Sequence, residues 1–312
     1  MPRLRNFSFI IPTLNEEKNI IFAIQSIQNA FPNQHQEIVI VDNGSSDRTV
    51  TFARREGAKV LVKTDATIAG LRNLGATQVT GDTLVFIDAD VTLSRDWLKQ
   101  SLAVLDEIPD RSRFITGSTC SVPEKTSFIQ RHWFSKLTHS SSSYVNSGHM
   151  IMSHETFKCL HGFDETLKTA EDYDICQRAK ALNIEVFRSP EIVAYHHGYP
   201  TTLRQFVVRE AWHGRQDFHS LRTFVRSRTA ILASVSSTML VTGLATLIFS
   251  GLTIASATII SASLLITMTF TVLKFRRLSI QEFFPTAICA QLYLLARAFS
   301  PFLRIRRPSA RA

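Results

Sequence analysis

Between Arg228 and Lys274 the chain runs for 45 residues, Thr229 to Leu273, without one charged side chain. A helix needs about 20 apolar residues to cross a bilayer core, so this length suits two passes better than one. Gly251, near the middle, marks the turn, and the pattern predicts helices over 229–249 and 253–273. Arg222, Arg226 and Arg228 precede the stretch, and Lys274, Arg276 and Arg277 follow it. Cytoplasmic flanks are rich in Lys and Arg, so both ends are expected on the cytoplasmic side of a cell membrane, with the pair forming a hairpin. The competing reading is a hairpin buried inside a soluble core. A third apolar segment, 283–303, is interrupted by Pro285, Arg297 and Pro301 and followed by Arg304, Arg306 and Arg307. Spanning would export that basic tail, so a helix lying in the interface is expected, with a third membrane helix as the alternative.

Charge divides along the same line. The net charge of +9 arises entirely after residue 200, where 14 Lys/Arg face 3 Asp/Glu, against 21 and 23 before it. The basic patches carry almost no interleaved aromatics or helix-turn-helix pattern, so anionic lipid, and not nucleic acid, is their expected partner. The opening MPRLRNFSFIIPTLNEE offers too short an apolar run for a secretory signal. Cys120, Cys159, Cys176 and Cys289 form no CxxC pair and no zinc spacing, as expected for reduced thiols in a cytosolic region. The expected organisation is a folded domain over 1–222, in halves of 1–110 and 111–222, followed by a membrane region over 223–312.

The first 90 residues alternate short apolar runs with helical patterns. FSFII (7–11), EIVIV (37–41), AKVLV (58–62) and TLVFI (83–87) read as strands, separated by helices over 16–30, 47–56 and 69–78. Apolar runs buried on both faces and spaced by helices predict an α/β fold, a Rossmann-like, mainly parallel sheet covered by helices. Ligands of such sheets collect at the carboxyl ends of the strands. Pro12-Thr13-Leu14-Asn15-Glu16 follows the first strand, Asp42-Asn43-Gly44-Ser45-Ser46-Asp47 the second, Asp65 the third and Asp88-Ala89-Asp90 the fourth. No GxGxxG follows the first strand and no GxxxxGK[ST] occurs, which removes the main support for dinucleotide and P-loop readings. From about 110 to 200 the pattern is irregular, with a serine run at 140–143.

Two carboxylates at i and i+2 on an extended strand end point the same way, so Asp88 and Asp90 can face one ligand. Such a pair suits Mg²⁺ or Mn²⁺ already carrying phosphate oxygens. A DxD on its own is more often a solvated acidic loop. Asn15 and Asp47 could serve only as helix caps, whereas capping does not explain Asp42 or Asp88.

The context of that pair decides between these readings. FIIPTLNEEKNI (9–20), VDNGSSDRT (41–49), AGLRNLGA (69–76), FIDADV (86–91) and GFDETLKTAEDYDICQRA (162–179) resemble, in order and approximate spacing, the family 2 glycosyltransferases of GT-A fold. The resemblance covers about residues 7–215 and makes 1–222 a catalytic domain. It implies that Pro12, Thr13, Asn15, Glu16 and Asp42 embrace the nucleobase and ribose of a nucleotide-sugar donor, a UDP-sugar being expected. Asn43 departs from the commoner VDDGS. Arg72 would lie near the pyrophosphate, Asp88, with Ala89 beside it, near ribose and metal-bound water, and Asp90 on the Mg²⁺ or Mn²⁺. Asp172 would be the catalytic base, with Glu171 and Asp174 in support. The simpler alternative is that these acids only stabilise a helix N-terminus. His196 or His197 would complete the metal site, or else pack as an ordinary histidine.

QFVVREAWHGR (205–215) does not match the QxxRW signature of processive synthases, which disfavours a chain-extruding polymerase. The expected activity is an inverting transfer of one sugar to a hydroxyl or phosphate of a lipid-linked or glycan acceptor. One alternative is a sugar-phosphate nucleotidyltransferase, although its glycine- and arginine-rich first loop is replaced here by PTLNEEKN. The other is a catalytically silent membrane scaffold that keeps the fold.

Overall fold

The computed structural model describes residues 6–32, 34, 36–123, 127–137, 144–167, 169–275 and 278–303. The serine run, Arg276, Arg277, Arg304, Arg306 and Arg307 lie outside these residues. In chain order the elements are β1 (Phe7–Thr13), α1 (Ile20–Ala30), β2 (Glu37–Asp42), α2 (Thr49–Arg55), β3 (Lys59–Val62), α3 (Ile68–Ala76), β4 (Thr83–Ile87), β5 (Val91–Leu93), α4 (Trp97–Asp106) and β6 (Phe114–Gly117). A π-helical turn (Gln130–Phe134) leads into α5 (Ser135–Leu137), then β7 (His149–Ser153), α6 (His154–Cys159), α7 (Glu171–Ala181), β8 (Glu185–Val186) and β9 (Ala194–His196). The remainder is helical: α8 (Leu203–Gly214), a 3₁₀ turn (Arg215–Phe218), α9 (Leu221–Arg226), α10 (Arg228–Ser250), α11 (Ile254–Lys274) and α12 (Ile280–Ala298). Two compact units result, one of residues 1–123 and 142–198, the other of 124–141 and 199–312.

In the first unit, β3-β2-β1-β4-β7-β6-β8 form one sheet. The first four strands are parallel, and β7 runs antiparallel to both β4 and β6. Successive side chains of β1 go to opposite faces: Phe9 and Ile11 join Trp97, Ile24 and Phe31, while Ile10 joins Phe86, Met150 and Ile175. Both faces are therefore packed, which is why these strands read as unbroken apolar runs. Phe7, Phe9, Phe31 and Trp97 form an aromatic cluster with ring centroids 5.4–5.8 Å apart. β3 departs from the expected double burial: it is an edge strand whose Lys59 and Val62 are exposed. The first two helices also start later than expected. α1 begins at Ile20 and not at residue 16, because the Glu16 backbone turns first and accepts from the Asn19 N–H at 3.0 Å. α2 begins at Thr49, whose N–H donates to the Asp47 carboxylate at 3.0 Å.

In the second unit, α10 and α11 are both long and apolar enough to cross a membrane, with a mean hydropathy of 1.8 and only 22% of each apolar window buried. Gly251 joins them with φ +73°, a backbone geometry that glycine adopts without strain. Small and hydroxylated residues form the contact between the helices. The Ser263 hydroxyl donates to the Ser236 carbonyl at 2.8 Å, and Gly243 lies so close to Ile260 that a Cβ there would come within 2.7 Å of it. Close approach at small residues is the usual basis of helix pairing where no hydrophobic effect drives it. α12 starts earlier than the expected 283, because Ser279 and Glu282 make a reciprocal cap. Thr286, Cys289, Ala290, Tyr293 and Leu294, at i, i+3, i+4, i+7 and i+8, are buried on the side that meets α8, α10 and α11.

Candidate active site

The carboxyl ends of β1, β2 and β4 carry the polar turns. Asn15 sits at φ +57°, a left-handed conformation that Asn tolerates better than most residues. Its N–H donates to the Ser45 hydroxyl at 2.8 Å and its side-chain oxygen accepts from the Ser46 N–H at 2.9 Å, locking the β1 turn to the β2 turn. Asp42 is 1% exposed, and its carboxylate is fully engaged: it accepts from the N–H groups of Gly44 (2.9 Å) and Ser45 (2.7 Å) and from the Thr13 hydroxyl (3.2 Å). Asn43 is committed as well. Its amide donates to the Ala66 carbonyl and accepts from the Ala66 N–H, at 3.2 and 3.1 Å. The polar groups of the second turn thus shape the loops, and Pro12 is buried beneath them.

Glu16 differs. Burial, partly offset by the Asn19 amide and reinforced by the nearby charges of Asp90, Asp88 and Asp47, pushes its carboxyl up to about 7.

The acidic pair after β4 is completed by a second, small sheet. β5 pairs antiparallel with β9, with Val91 opposite His196, so His196 arrives beside Asp90. His196 Nε2 lies 3.6 Å from Asp90 Oδ1, and ligand atoms of Asp88, Asp90 and His196 all fall within 4.8 Å of one another. His197 lies past the end of β9, in the turn that follows, and its ring is held elsewhere, 2.8 Å from the Thr92 hydroxyl, while its backbone N–H donates to the Asp90 carbonyl at 2.8 Å. Gly198 follows, and a Cβ on it would lie 2.0 Å from Asp90 Oδ2 and 2.9 Å from His196 Cε1. Ala89, between the two acids, is buried.

Arg72 joins this group to the second acidic cluster. Only 1% exposed, it donates through Nη2 to Asp88 Oδ1 at 2.9 Å and through Nη1 to Glu171 Oε1 at 2.7 Å. The resemblance sets this residue beside a pyrophosphate; the structure commits both its terminal nitrogens to carboxylates. Glu171 also accepts from the Ser147 hydroxyl at 3.2 Å. Asp172 accepts from the N–H groups of Tyr173 (2.8 Å) and Ser147 (3.4 Å). Burial, together with the Glu171 charge and against the pull of those N–H groups and Arg72, pushes the Asp172 carboxyl up to about 6. Asp174 instead pairs with Arg178 one helical turn later.

Three residues without a role in the sequence reading support the site: Ser147, Gly148 and Gly198. Gly148 accepts from the Asp88 N–H at 3.3 Å, and a Cβ on it would come within 2.9 Å of Asp88 Oδ2. Glycines pressed against acidic side chains, in NSGH before β7 and HHG after β9, are the sequence signal that could have found two of them. A separate cavity of about 680 Å³ between α4 and residues 185–191 shares no residue with this site.

Residues 8–162 match the family model described as Glycosyl transferase family 2. The chain is 26% identical over 211 residues to the amylovoran biosynthesis glycosyltransferase AmsB of Erwinia amylovora, a match covering 62% of this chain and 69% of that one. It is 25% identical over 235 residues to the pre-mycofactocin glycosyltransferase of Mycobacterium tuberculosis, covering 68% of this chain but only 47% of that relative. Among solved structures it resembles the mannosyltransferase PcManGT of Pyrobaculum calidifontis, solved with GDP-Man and Mn²⁺. The TM-score is 0.64 at 18% identity, over 96% of this chain and 88% of the other. That likeness shows the fold, which is GT-A.

Proposed function

We propose that this chain, a member of glycosyl transferase family 2 through residues 8–162, moves one sugar from a nucleoside-diphosphate sugar to an acceptor hydroxyl or phosphate, with inversion. One observation carries the reading: Asp88, Asp90 and His196 converge at the sheet edge, and Arg72 ties Asp88 to Glu171, the residue before Asp172. Two carboxylates and one imidazole fit Mn²⁺ or Mg²⁺. A bound ion there would supply positive charge for the leaving diphosphate. Asp172 takes the proton from the acceptor O–H while the acceptor oxygen bonds to the anomeric carbon and the bond to the diphosphate breaks. A carboxyl near 6 is ionised at neutral pH yet basic enough for this work. One base suffices, since direct displacement needs no enzyme nucleophile.

The turn from Pro12 to Glu16, with Asp42 and Asn43 bracing it, forms the wall for nucleobase and ribose. A UDP-sugar is the donor we favour; the GDP-Man bound to the similar mannosyltransferase keeps GDP-sugars in the test panel. Helices α10 and α11 anchor the chain in a cell membrane with the catalytic domain on the cytoplasmic side, and a lipid-linked or glycan acceptor follows from that anchorage. The test is sugar transfer or donor hydrolysis by the purified full chain across UDP-, GDP- and dTDP-sugars, with Mn²⁺, with Mg²⁺ and with chelator. Turnover that needs metal and disappears in Asp90→Ala and Asp172→Asn supports the reading. Equal inertness of wild type and both variants across the panel, with membrane binding retained, would leave a scaffold.

A further inference from the structure

The second unit holds an apolar groove of about 510 Å³ that glycosyl transfer does not use. On α10 its lining is the stripe 234, 237, 238, 241 and 242, spaced i, i+3, i+4, i+7 and i+8. The adjoining face of the same helix is used differently, for Ser236 bonds to Ser263 of α11. Phe218 and Phe224 flank the groove on one side, 5.4 Å apart, and Phe299 and Phe302 on the other. Ser237, 3% exposed, contributes to the lining, and its hydroxyl finds no hydrogen-bond partner among the described residues.

Charge and depth identify the occupant. The helix that supplies Phe224 also carries Arg222 and Arg226, and α10 begins at Arg228; all three arginines are exposed and make no ion pair among the described residues. At a rise of 1.5 Å per residue, positions 234–242 lie roughly 9–21 Å along the helix from Arg228. A single leaflet of the hydrocarbon core is about 15 Å deep. The groove therefore begins near a cluster of free guanidinium groups and extends for about one leaflet.

The geometry points to a binding site for one anionic glycerophospholipid, its acyl chain in the groove and its phosphate on Arg222, Arg226 and Arg228. The site rests on the membrane-anchored part of the proposed function and is separate from the transfer chemistry.

The experiment takes the full chain, reconstituted in bilayers of phosphatidylcholine and phosphatidylglycerol, extracts it in mild detergent and counts retained lipids by native mass spectrometry. One retained phosphatidylglycerol is expected, at least tenfold preferred over phosphatidylcholine. Each of Arg222→Gln, Arg226→Gln and Arg228→Gln should lower that preference about fivefold. Val241→Trp, at an exposed lining position, should empty the groove without disturbing the fold. Retention without headgroup preference, retention undiminished by Val241→Trp, or a retained isoprenoid phosphate in place of the phospholipid would each overturn the site. Carbonate extraction separates the two levels: a chain released from the bilayer by alkaline carbonate refutes the membrane anchorage itself, whereas a carbonate-resistant chain with no retained lipid refutes only the site.

Discussion

Replacing Gly198 by Ala tests whether the β9 backbone must approach Asp90 for the site to work. The added Cβ would lie 2.0 Å from Asp90 Oδ2. Ordinary contact at about 3.4 Å or more therefore requires the carboxylate to move by more than 1 Å. The atom that yields is the end of a side chain, and Gly198 is exposed and lacks a left-handed φ, so the fold has little to lose. Misplacing a reacting group by about 1 Å costs on the order of 100-fold in rate, or about 2.7 kcal/mol of barrier. The expected result is a melting temperature within a degree or two of wild type and donor turnover about 100-fold lower, with higher Mn²⁺ needed for half-maximal rate. Wild-type turnover at wild-type metal concentration would refute the claim that Asp90 must stand where the backbone leaves room for it.

Three further substitutions separate the roles of the neighbouring groups. His196→Gln should lower the apparent metal affinity on the order of 10–100-fold while His197→Gln, whose ring faces Thr92, leaves it nearly unchanged; Mn²⁺ titration of activity distinguishes them. Arg72→Met strands the buried Glu171 carboxylate and should lower stability by about 3–5 kcal/mol, read from urea midpoints. Asp172→Asn should cut turnover on the order of 10²–10⁴-fold, and the wild-type rate should fall as pH drops through about 6. The same variant should be more stable above pH 6. A carboxyl raised from 3.8 to about 6 contributes stability fully present below 3.8 and lost as pH rises through 6, a difference of about 3 kcal/mol that Asn avoids. Urea midpoints at pH 5 and pH 8 check it.

The strands β1, β2 and β4 and the acids that end them were legible because both faces of those strands are packed and each carboxyl end breaks sharply into polar turns. The choice between His196 and His197 was not. Which of them meets Asp90 depends on where β9 ends and on the pairing of Val91 with His196, a register set by contacts about 100 residues apart in sequence. Ser147 and Gly148 were obscure for a similar reason. They enter the site only because β7 returns antiparallel beside β4, and the irregular stretch between those strands has no period from which to read that return. Arg72 could have been read more closely. It falls on the stripe Ala69, Arg72, Ala76, at i, i+3 and i+7, whose other members are buried. A lone arginine on a buried helix stripe needs acidic partners, and Asp88 and Glu171 supply them.

Those partners bear on why the site carries so many acids. Asp88, Asp90, Glu171 and Asp172 are gathered with a single buried cation, Arg72, among the described residues, and Glu16 feels the charge of both acids of the DxD pair. The raised carboxyls of Glu16 and Asp172 register burial first and the neighbouring carboxylates second. Such a cluster opposes folding, because each buried ion costs several kcal/mol unless it is paired. The packed sheet beneath it, apolar on both faces, bears that cost and holds the acids where relaxation would otherwise separate them. An edge with excess negative charge held on a rigid sheet fits a divalent cation. A bound cation there would relieve the carboxylates, and its remaining coordination positions would be open to diphosphate oxygens.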